Sequence, residues 1–321
     1  MRSRRFEFLE FEDQPSAPPL QPEVAPETRA ELQPRRVEFQ VVELLGEQGS
    51  DLGQFNFPAG LWVDLQGNLW VADTYNHRVQ KITPAGEVYG LGRRGQELGE
   101  LFLPLDVAVD SSGFIYVLDS GNHRLQKFAP DGTPLFAIGQ RGTQISYFNS
   151  PEGLTVDAYN NLYVADTGNR RLQKFSAAGQ FLQVFGGRGR TLLPLEQPRA
   201  VALGPGGDLY VADGHGHQIL HLNSWGTPLG SLGRPGRGRG ELNNPCAVAL
   251  DQLGCLYVLE AGNQRLQKFA PDGESLAVFD NRGSILGTLG RVRGLALTPE
   301  GCLYVSETHR HRILKIAQKP R

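Results

Sequence analysis

Long apolar runs, cysteine and methionine are all scarce in this sequence of 321 residues. No stretch of about 18 apolar residues occurs, so a membrane-spanning helix and membrane insertion are not expected. The three Cys residues are an odd number in a long chain, which argues against a disulfide framework. A single Met and 9% aromatic residues argue against a helical bundle. The composition predicts a soluble protein of a reducing compartment.

An excess of charge of either sign is also missing. The chain has 32 Lys and Arg residues against 34 Asp and Glu residues, which gives a formal net charge of -2. Binding of nucleic acid by bulk charge is therefore excluded, and any such contact needs a local patch. The stretch Met1–Phe8 turns acidic where a secretory signal needs an apolar core, so a cytoplasmic location is predicted.

Glycine, in contrast, is abundant and accompanies an internal repeat. The chain has 40 Gly residues, about 12% against a usual ~7%. The segment Val71–Ile82, VADTYNHRVQKI, recurs five times with changes, for example as VLDSGNHRLQKF. Its acidic residue returns at intervals of 46 or 47 residues, which indicates one supersecondary unit copied six times. The acidic positions are Asp73, Asp119, Asp166, Asp213, Glu260 and Glu307.

Each repeat predicts four short strands, here named a to d, separated by turn residues. In the third repeat they cover residues 153–157, 162–166, 171–175 and 181–185. Six such sheets with Gly-rich connections predict an all-β protein, a six-bladed β-propeller over residues 37–321. The sixth repeat has no strand d of its own, and Val37–Leu45 matches the strand-d pattern. We therefore expect this strand to complete the last blade and remove the open sheet edges.

The repeat resembles a known family. The motif DTxNHRLQKF, preceded by PxGLxVD and LYVAD, is similar to the NHL repeat, and the resemblance covers residues 37–321. It implies a six-bladed propeller but no single function, because NHL propellers include RNA-binding proteins, protein-interaction sensors and metal-dependent amidating lyases. Function must therefore be argued from the residues of individual sites.

Residues 1–36 differ in composition from the repeats and are predicted to be a disordered, Pro-rich extension. Six Pro residues between positions 14 and 36 favour extended polyproline II and leave little apolar surface to bury. An apolar cluster precedes them within residues 6–13, and two interpretations stay open: a disordered terminus and a docking peptide on a tether. The cluster consists of Phe6, Phe8, Leu9 and Phe11.

The two faces of the predicted propeller differ in charge. The b–c and d–a connections share one face, here named the loop face, and the a–b and c–d turns share the other, here named the turn face. Arg recurs on the loop face and Asp on the turn face, so the loop face is predicted to bind an anionic partner; ordinary solvated loops are the alternative. The Arg residues are Arg94, Arg141, Arg188, Arg190, Arg237 and Arg239, with Arg199 and Arg293 at the channel mouth.

The strand-b carboxylate is followed by an Arg at the start of strand c in five of the six repeats. We expect ion pairs or hydrogen bonds that tie strand b to strand c, because recurrence in every blade is typical of architecture rather than catalysis. Repeat 4 departs, since Gln218 stands opposite Asp213. The five pairs are Asp73 and Arg78, Asp119 and Arg124, Asp166 and Arg171, Glu260 and Arg265, and Glu307 and Arg312.

Histidine occupies one repeat position in four blades, where a structural role is expected. Repeat 4 also has His215, His217 and His221 at spacings of two and four, which places them on one side of an extended chain. They are weak candidates for a Zn²⁺ site, since three His along one strand are too far apart for one tetrahedral ion unless the loop bends. No metal and no other cofactor is therefore predicted.

The mouth of the central channel is predicted from the residue that follows each strand-a Pro. The acids there, Glu152 and Asp106, are offset by Arg199 and Arg293, and no cluster of oxygen ligands suits Ca²⁺. No Ser-His-Asp or phosphate-loop pattern stands out, and no small-molecule substrate is indicated.

The sequence favours a non-catalytic protein-interaction scaffold, a subunit of a larger bacterial assembly that binds through the loop face and the N-terminal tail. A metal-dependent lyase or hydrolase, with its site on the loop face or at the channel mouth, is the first alternative. RNA binding is the second, and it needs aromatic stacking platforms among the basic residues. Only Tyr75, Tyr147 and Phe148 are candidates for such platforms.

Overall fold

The strands of the propeller are short and regularly spaced. The computed structural model describes residues 34–187, 193, 195–280 and 289–320, and these contain 24 strands. In chain order the strands are β1 Val37–Leu45, β2 Pro58–Val63, β3 Leu69–Asp73, β4 Arg78–Ile82, β5 Val88–Leu91, β6 Asp106–Val109, β7 Ile115–Asp119, β8 Arg124–Phe128, β9 Pro134–Ile138, β10 Gly153–Val156, β11 Leu162–Asp166, β12 Arg171–Phe175, β13 Phe181–Gly186, β14 Pro198–Leu203, β15 Leu209–Asp213, β16 Gln218–Leu222, β17 Pro228–Leu232, β18 Pro245–Leu250, β19 Leu256–Glu260, β20 Arg265–Phe269, β21 Ser275–Phe279, β22 Val292–Leu297, β23 Leu303–Glu307 and β24 Arg312–Pro320. Single-turn 3-10 helices follow strand b at Thr74–Asn76, Ser120–Asn122, Thr167–Asn169 and Thr308–Arg310.

Each repeat forms one antiparallel four-stranded sheet, so the predicted six-bladed β-propeller is confirmed. Blades 1 to 5 take their strands in sequence order, from β2–β5 to β18–β21. The strands predicted for the third repeat match β10 to β13 to within one residue at each end. Strand b is buried at all five positions in blades 1, 2, 3 and 5, because neighbouring blades cover both faces of each sheet.

The apolar core lies between blades. One cluster joins Trp70 and Val79 of blade 1 to Val107 and Phe128 of blade 2, and five others join the remaining neighbouring blades within the described residues. The sixth of these interfaces, between blades 6 and 1, brings Ile313 against Val71. Each blade is therefore stabilised by burial against two neighbours.

The ring closes through the N-terminal strand, as the sequence predicts. β1 pairs with β24 antiparallel, with Val37 opposite Pro320 and Leu45 opposite Ile313, and the sheet order is β1-β24-β23-β22. β1 is therefore the strand d of blade 6. The sixth repeat motif ends at Ile316, but β24 continues to Pro320, because the nine residues of β1 provide a longer partner than other strands d.

Most of the predicted N-terminal extension lies outside the described residues. Residues 1–33 lie outside the described residues, and Phe6, Phe8, Leu9 and Phe11 lie among them. The domain division at residue 36, the disorder of the extension and the docking peptide at 6–13 therefore stay predictions. Within the part of the chain that the structure describes, no helix has the length and apolar character needed to cross a membrane.

Truncation of Phe39 in β1 tests the closure. Its ring is 8% exposed and lies edge-on to Phe279 of blade 5, with ring centroids 6.0 Å apart. Phe39→Ala is expected to lower the free energy of unfolding by about 3 kcal/mol in urea titrations, because it removes a buried ring and leaves a cavity. Val42→Ala is the matched control, since Val42 lies on the same strand and is 51% exposed. Equal stability of the two variants would show that β1 is not needed for closure.

Candidate functional site

A buried carboxylate at the end of strand b organises the loop face. In blade 2 the carboxylate of Asp119 is fully buried. Its Oδ1 accepts a hydrogen bond from the backbone N–H of Phe102 at 2.7 Å. Its Oδ2 accepts from Asn122 Nδ2 at 2.8 Å, Arg124 Nε at 2.7 Å and Gln126 Nε2 at 3.0 Å. One acidic side chain therefore binds the b–c turn, strand c and the d–a loop together.

The same three donors also hold the backbone of the d–a loop. Their remaining N–H groups donate to carbonyl oxygens of the loop. These backbone carbonyls would otherwise lack hydrogen-bond partners where they are shielded from water. The contacts are Asn122 Nδ2 to Gly95 O at 2.9 Å, Arg124 NH2 to Glu97 O at 2.9 Å, and Gln126 Nε2 to Glu100 O at 2.7 Å. We name this arrangement of Asp, Asn, Arg and Gln the loop latch.

The latch recurs in blades 1, 3 and 5, where Asn76, Asn169 and Asn263 take the place of Asn122. Blade 4 lacks the strand-c Arg, and Asp213 accepts instead from the backbone N–H groups of Glu196 and Gln197. All five Asp or Glu pairs with Arg named in the sequence analysis are in contact, with N···O distances of 2.5 to 2.8 Å.

Histidine ties one blade to the next. His77 ends the b–c turn with φ of 55°, and its Nδ1 accepts the backbone N–H of Leu103 in blade 2 at 3.1 Å. His123, His217 and His311 make the equivalent bond to the following blade at 3.1 to 3.2 Å. Burial lowers the pKa of His77 and of His123, and the neighbouring Arg94 and Arg141 lower it further. The neutral ring is the form that can accept this bond.

The exposed arginines of the loop face are only part of the predicted set. Arg94, Arg141, Arg237 and Arg239 are exposed there, and the first three make no ion pair with any described residue. The guanidinium of Arg94 lies 5.8 Å from the centroid of the Phe102 ring. Arg239 donates to the Ser275 carbonyl at 2.9 Å. Arg188 and Arg190 lie outside the described residues.

Arg199 and Arg293 line the central channel, as predicted for the channel mouth, and do not belong to the exposed arginines of the loop face. Both side chains are less than one-fifth exposed and line the central channel, where each donates to Glu152 Oε2 at 3.0 Å. They follow the strand-a start, so they turn into the channel rather than out with the loop tips. Burial opposes ionisation of Glu152, but the two guanidinium groups outweigh it and hold the pKa of Glu152 below its usual range.

The turn face combines exposed c–d turn carboxylates, Asp131 and Asp272, with a–b turn carboxylates that are bound within their own turns. In the a–b turn of blade 2, Asp110 is 5% exposed and accepts from the backbone N–H groups of Ser112 and Phe114 and from the Tyr116 hydroxyl. Lys127 lies above the same Tyr ring, 5.1 Å from its centroid. The equivalent turn carboxylates are held in the same way. These carboxylates close turns rather than face solvent, as Asx turns do; they are Asp64, Asp157 and Asp251.

The three His residues of blade 4 do not converge. His217 accepts the backbone N–H of Asn244 through Nδ1, and His221 stacks on Tyr210 with its Nε2 3.0 Å from Asp208 Oδ2. Among the described residues no group of three or more His, Cys, Asp or Glu side chains is placed to hold a metal ion, and His215 joins no such group.

Of the three aromatic side chains predicted for the loop face, Phe148 and Tyr75 pack against other rings, whereas Tyr147 is half-buried and stacks on no described ring. Phe148 is fully buried, so it is not the stacking platform that RNA binding would use. Tyr75 is half exposed, and Phe57 stacks on it at 4.8 Å. Phe102 stacks on His77 at 5.2 Å. The sequence analysis missed Phe57 and Phe102, because they follow the loops at positions without a repeat motif.

The family follows from the repeat units. The family model described as NHL repeat matches residues 55–82, 103–128, 148–175 and 195–222, and each match runs from the end of a d–a loop to the end of strand c. With six blades in the ring, the assignment is decided. This chain is an NHL-repeat β-propeller.

Solved structures share the fold of this NHL propeller at low sequence identity. Virginiamycin B lyase from Staphylococcus aureus is 14% identical, with a TM-score of 0.61 over 88% of this chain and 89% of that one. A gluconolactonase from Xanthomonas campestris is 16% identical, with a TM-score of 0.64 over 89% and 99%. A chain of a nidogen–laminin complex is 18% identical, with a TM-score of 0.60 over 79% and 97%. No curated protein matches the sequence significantly.

Two members of the loop latch were missed by the sequence analysis. The Asn of the b–c turn and the Gln of strand c also donate hydrogen bonds to the buried carboxylate, and Gln80, Gln126, Gln173 and Gln267 are fully buried. Their recurrence at fixed positions of the NHL repeat was the available signal. A buried amide at the same position of several blades indicates a structural hydrogen bond.

Removal of one latch carboxylate is expected to lower the free energy of unfolding. Asp119→Ala leaves the partly buried Arg124 and Asn122 and the buried Gln126 without their shared acceptor, and loss of one partner of a buried ion pair costs about 3–5 kcal/mol. Urea unfolding measures this loss. Glu97→Ala is the matched control, since Glu97 is an exposed carboxylate of the same loop. A cost below about 1 kcal/mol for Asp119→Ala would contradict the latch.

The His ties predict a dependence of stability on pH. The pKa of His77 and His123 is lowered in the folded protein, so between that value and the unfolded value of about 6.5 the unfolded chain binds more protons. Stability contributed by these residues is therefore lost as pH falls below about 6.5. A His77→Gln, His123→Gln variant is expected to lose less melting temperature between pH 7 and pH 5 than the wild type. Gln264 occupies this position naturally, and identical pH slopes would refute the role.

Proposed function

We propose that this NHL propeller is a non-catalytic protein-interaction module, a subunit of a larger assembly, and that its loop face binds an acidic partner. The observation that carries this proposal is the set of exposed guanidinium groups on latched loops. Arg94, Arg141 and Arg237 have no ion-pair partner among the described residues, so their charge is available for a carboxylate of another protein.

The latch makes these loops suitable for recognition. Their backbone carbonyls bind Asn, Arg and Gln of the same blade, so the side chains at the loop tips are the groups left to contact a partner. A surface held in this way loses little conformational entropy on binding. Rigid presentation on a scaffold is how loops of other folds carry specificity.

Apolar side chains accompany the arginines. Leu52, Leu98 and Ile145 stand at equivalent positions of the loops before blades 1, 2 and 3 and are 47 to 56% exposed. Arg and exposed apolar residues together are typical of protein–protein interfaces. The scarcity of unstacked rings on this face favours a protein partner over RNA, since single strands bind on open aromatic platforms.

The N-terminal extension supplies the second contact in this proposal. Phe6, Phe8, Leu9 and Phe11 form an apolar docking segment ahead of a Pro-rich tether. Two linked contacts raise avidity through effective concentration. Solved relatives of the fold include both enzymes and a chain of a nidogen–laminin complex, so the fold itself is compatible with a binding role.

Charge reversal on the loop face tests the proposal. Full-length tagged protein is used to capture partners from nuclease-treated native lysate. Arg141→Glu and Arg237→Glu are each expected to reduce recovery of the captured protein about tenfold or more, because a charge-assisted contact becomes repulsive. Raised salt should mimic the effect. Lys319→Glu is the control, since Lys319 is an exposed cation on β24.

The same capture experiment separates the two contacts. Deletion of residues 1–33 should weaken capture without changing the melting temperature, if the tail is the second contact. Capture that survives both Arg reversals but is lost with the deletion would refute the loop face as the binding surface. Capture seen only in a parallel lysate without nuclease treatment would favour RNA as the partner.

A further inference from the structure

The central channel contains a chemically distinct pocket that the loop-face proposal does not use. Its cavity of about 310 Å³ is lined by strand a of every blade, a volume at the lower end of small-molecule sites. At the loop-face mouth the lining is charged, with Glu152, Arg199 and Arg293. Beyond the mouth most of the lining residues are apolar, with Leu61 and Leu154 among them.

Some N–H donors of the two arginines at the mouth have no hydrogen-bond acceptor among the described residues. Arg199 Nε and Arg293 NH2 both donate to the same oxygen of Glu152 at 3.0 Å, and Arg199 NH1 donates to Asn244 Oδ1 at 3.1 Å. Arg199 NH2 and Arg293 Nε and NH1 have no hydrogen-bond partner among the described residues. Two guanidinium groups thus share one carboxylate, and three N–H-bearing nitrogens remain available in a confined site.

Asp106 does not complete the charge balance. Its carboxylate accepts the backbone N–H groups of Leu154 at 2.8 Å and Val107 at 3.0 Å, and it makes no ion pair within the described chain. Burial raises the pKa of Asp106 to about 7, although Arg293 opposes this shift. With Asp106 protonated, the pocket carries one net positive charge among apolar walls, and an uncompensated buried charge attracts an anion.

We propose that the channel binds a small monocarboxylate, whose carboxylate contacts the free N–H groups of Arg199 and Arg293 and whose apolar part occupies the channel interior. Guanidinium groups match carboxylates in shape and charge. The apolar walls favour an acid with a hydrocarbon or aromatic body over a fully polar anion. This inference differs from the sequence-based expectation that no small molecule is bound, and it does not depend on the partner of the loop face.

The neighbouring ionisable groups give the binding a pH signature. The charged or titratable groups that face Asp106 across the channel are Glu152, Arg199, Arg293 and Cys246, and burial raises the pKa of the Cys246 thiol. When Asp106 ionises, the pocket holds a second negative charge besides that of Glu152, and this charge repels a bound carboxylate. Affinity is therefore greatest below about pH 7 and falls as pH rises through it.

Isothermal titration of the full-length protein with benzoate tests this site, with benzamide as the uncharged control of the same shape. Benzoate is expected to bind at pH 6 and benzamide about tenfold or more weakly. Arg293→Gln should weaken benzoate by a similar factor, and its melting temperature reports whether the variant is folded. Equal binding of benzoate and benzamide, or no benzoate binding at pH 6, would overturn the proposal.

A second variant separates the pocket from a general effect of charge. Asp106→Asn is expected to bind benzoate equally well at pH 6 and pH 8, whereas the wild type weakens several-fold over that range. Inorganic phosphate is tested in parallel. Phosphate binding tighter than benzoate, or an unchanged pH dependence in Asp106→Asn, would overturn the assignment of a carboxylate pocket, and neither result bears on capture of a protein by the loop face.

Discussion

The rest of the structure depends on the buried carboxylate at the end of strand b. A single side chain such as Asp119 accepts hydrogen bonds from the loop that enters its blade, from the b–c turn and from strand c. It is fully buried, so its desolvation has to be offset by good contacts, and the Asn, Arg and Gln of the latch provide them. The loops, the turns and the blade edges therefore have one arrangement that satisfies all of these polar groups together.

Most of the fold could be predicted because the same repeat occurs six times in the chain. A single repeat is ambiguous, but a period held by Asp73 and its counterparts fixes strand order, and the missing strand d of repeat 6 identifies Val37–Leu45 as its replacement. Side-chain partners are harder to predict. Arg199 is expected at the channel mouth because it follows a Pro, but its ion pair with Glu152 cannot be derived from the sequence, because the two residues are 47 positions apart.

The turn face also shows that the contacts of a charged side chain cannot be predicted from its place in the repeat. Asp110 and its counterparts suggest carboxylates open to a partner until their hydrogen bonds are known, since a carboxylate that closes a turn already has its acceptors occupied. Features that repeat in every blade are structural in this NHL propeller. Features that occur once, such as Asp106, Glu152 and Arg293 in the channel, break the symmetry, and asymmetry is what a ligand site requires. The departures from the repeat in the channel are thus the candidates for a ligand site.

Closure by the N-terminal strand also constrains how the chain is made. β1 emerges from the ribosome first, yet its partner strand lies near the end of the described chain, and Glu43 contacts Lys315 across 272 positions of sequence. During synthesis β1 has no native partner, while blades 1 to 5 can assemble in order behind it. Pairing at so large a sequence separation is slow and leaves an unpaired strand open to aggregation. The sheet edge of β24 is therefore completed last, when β1, made before every other described strand, pairs with it.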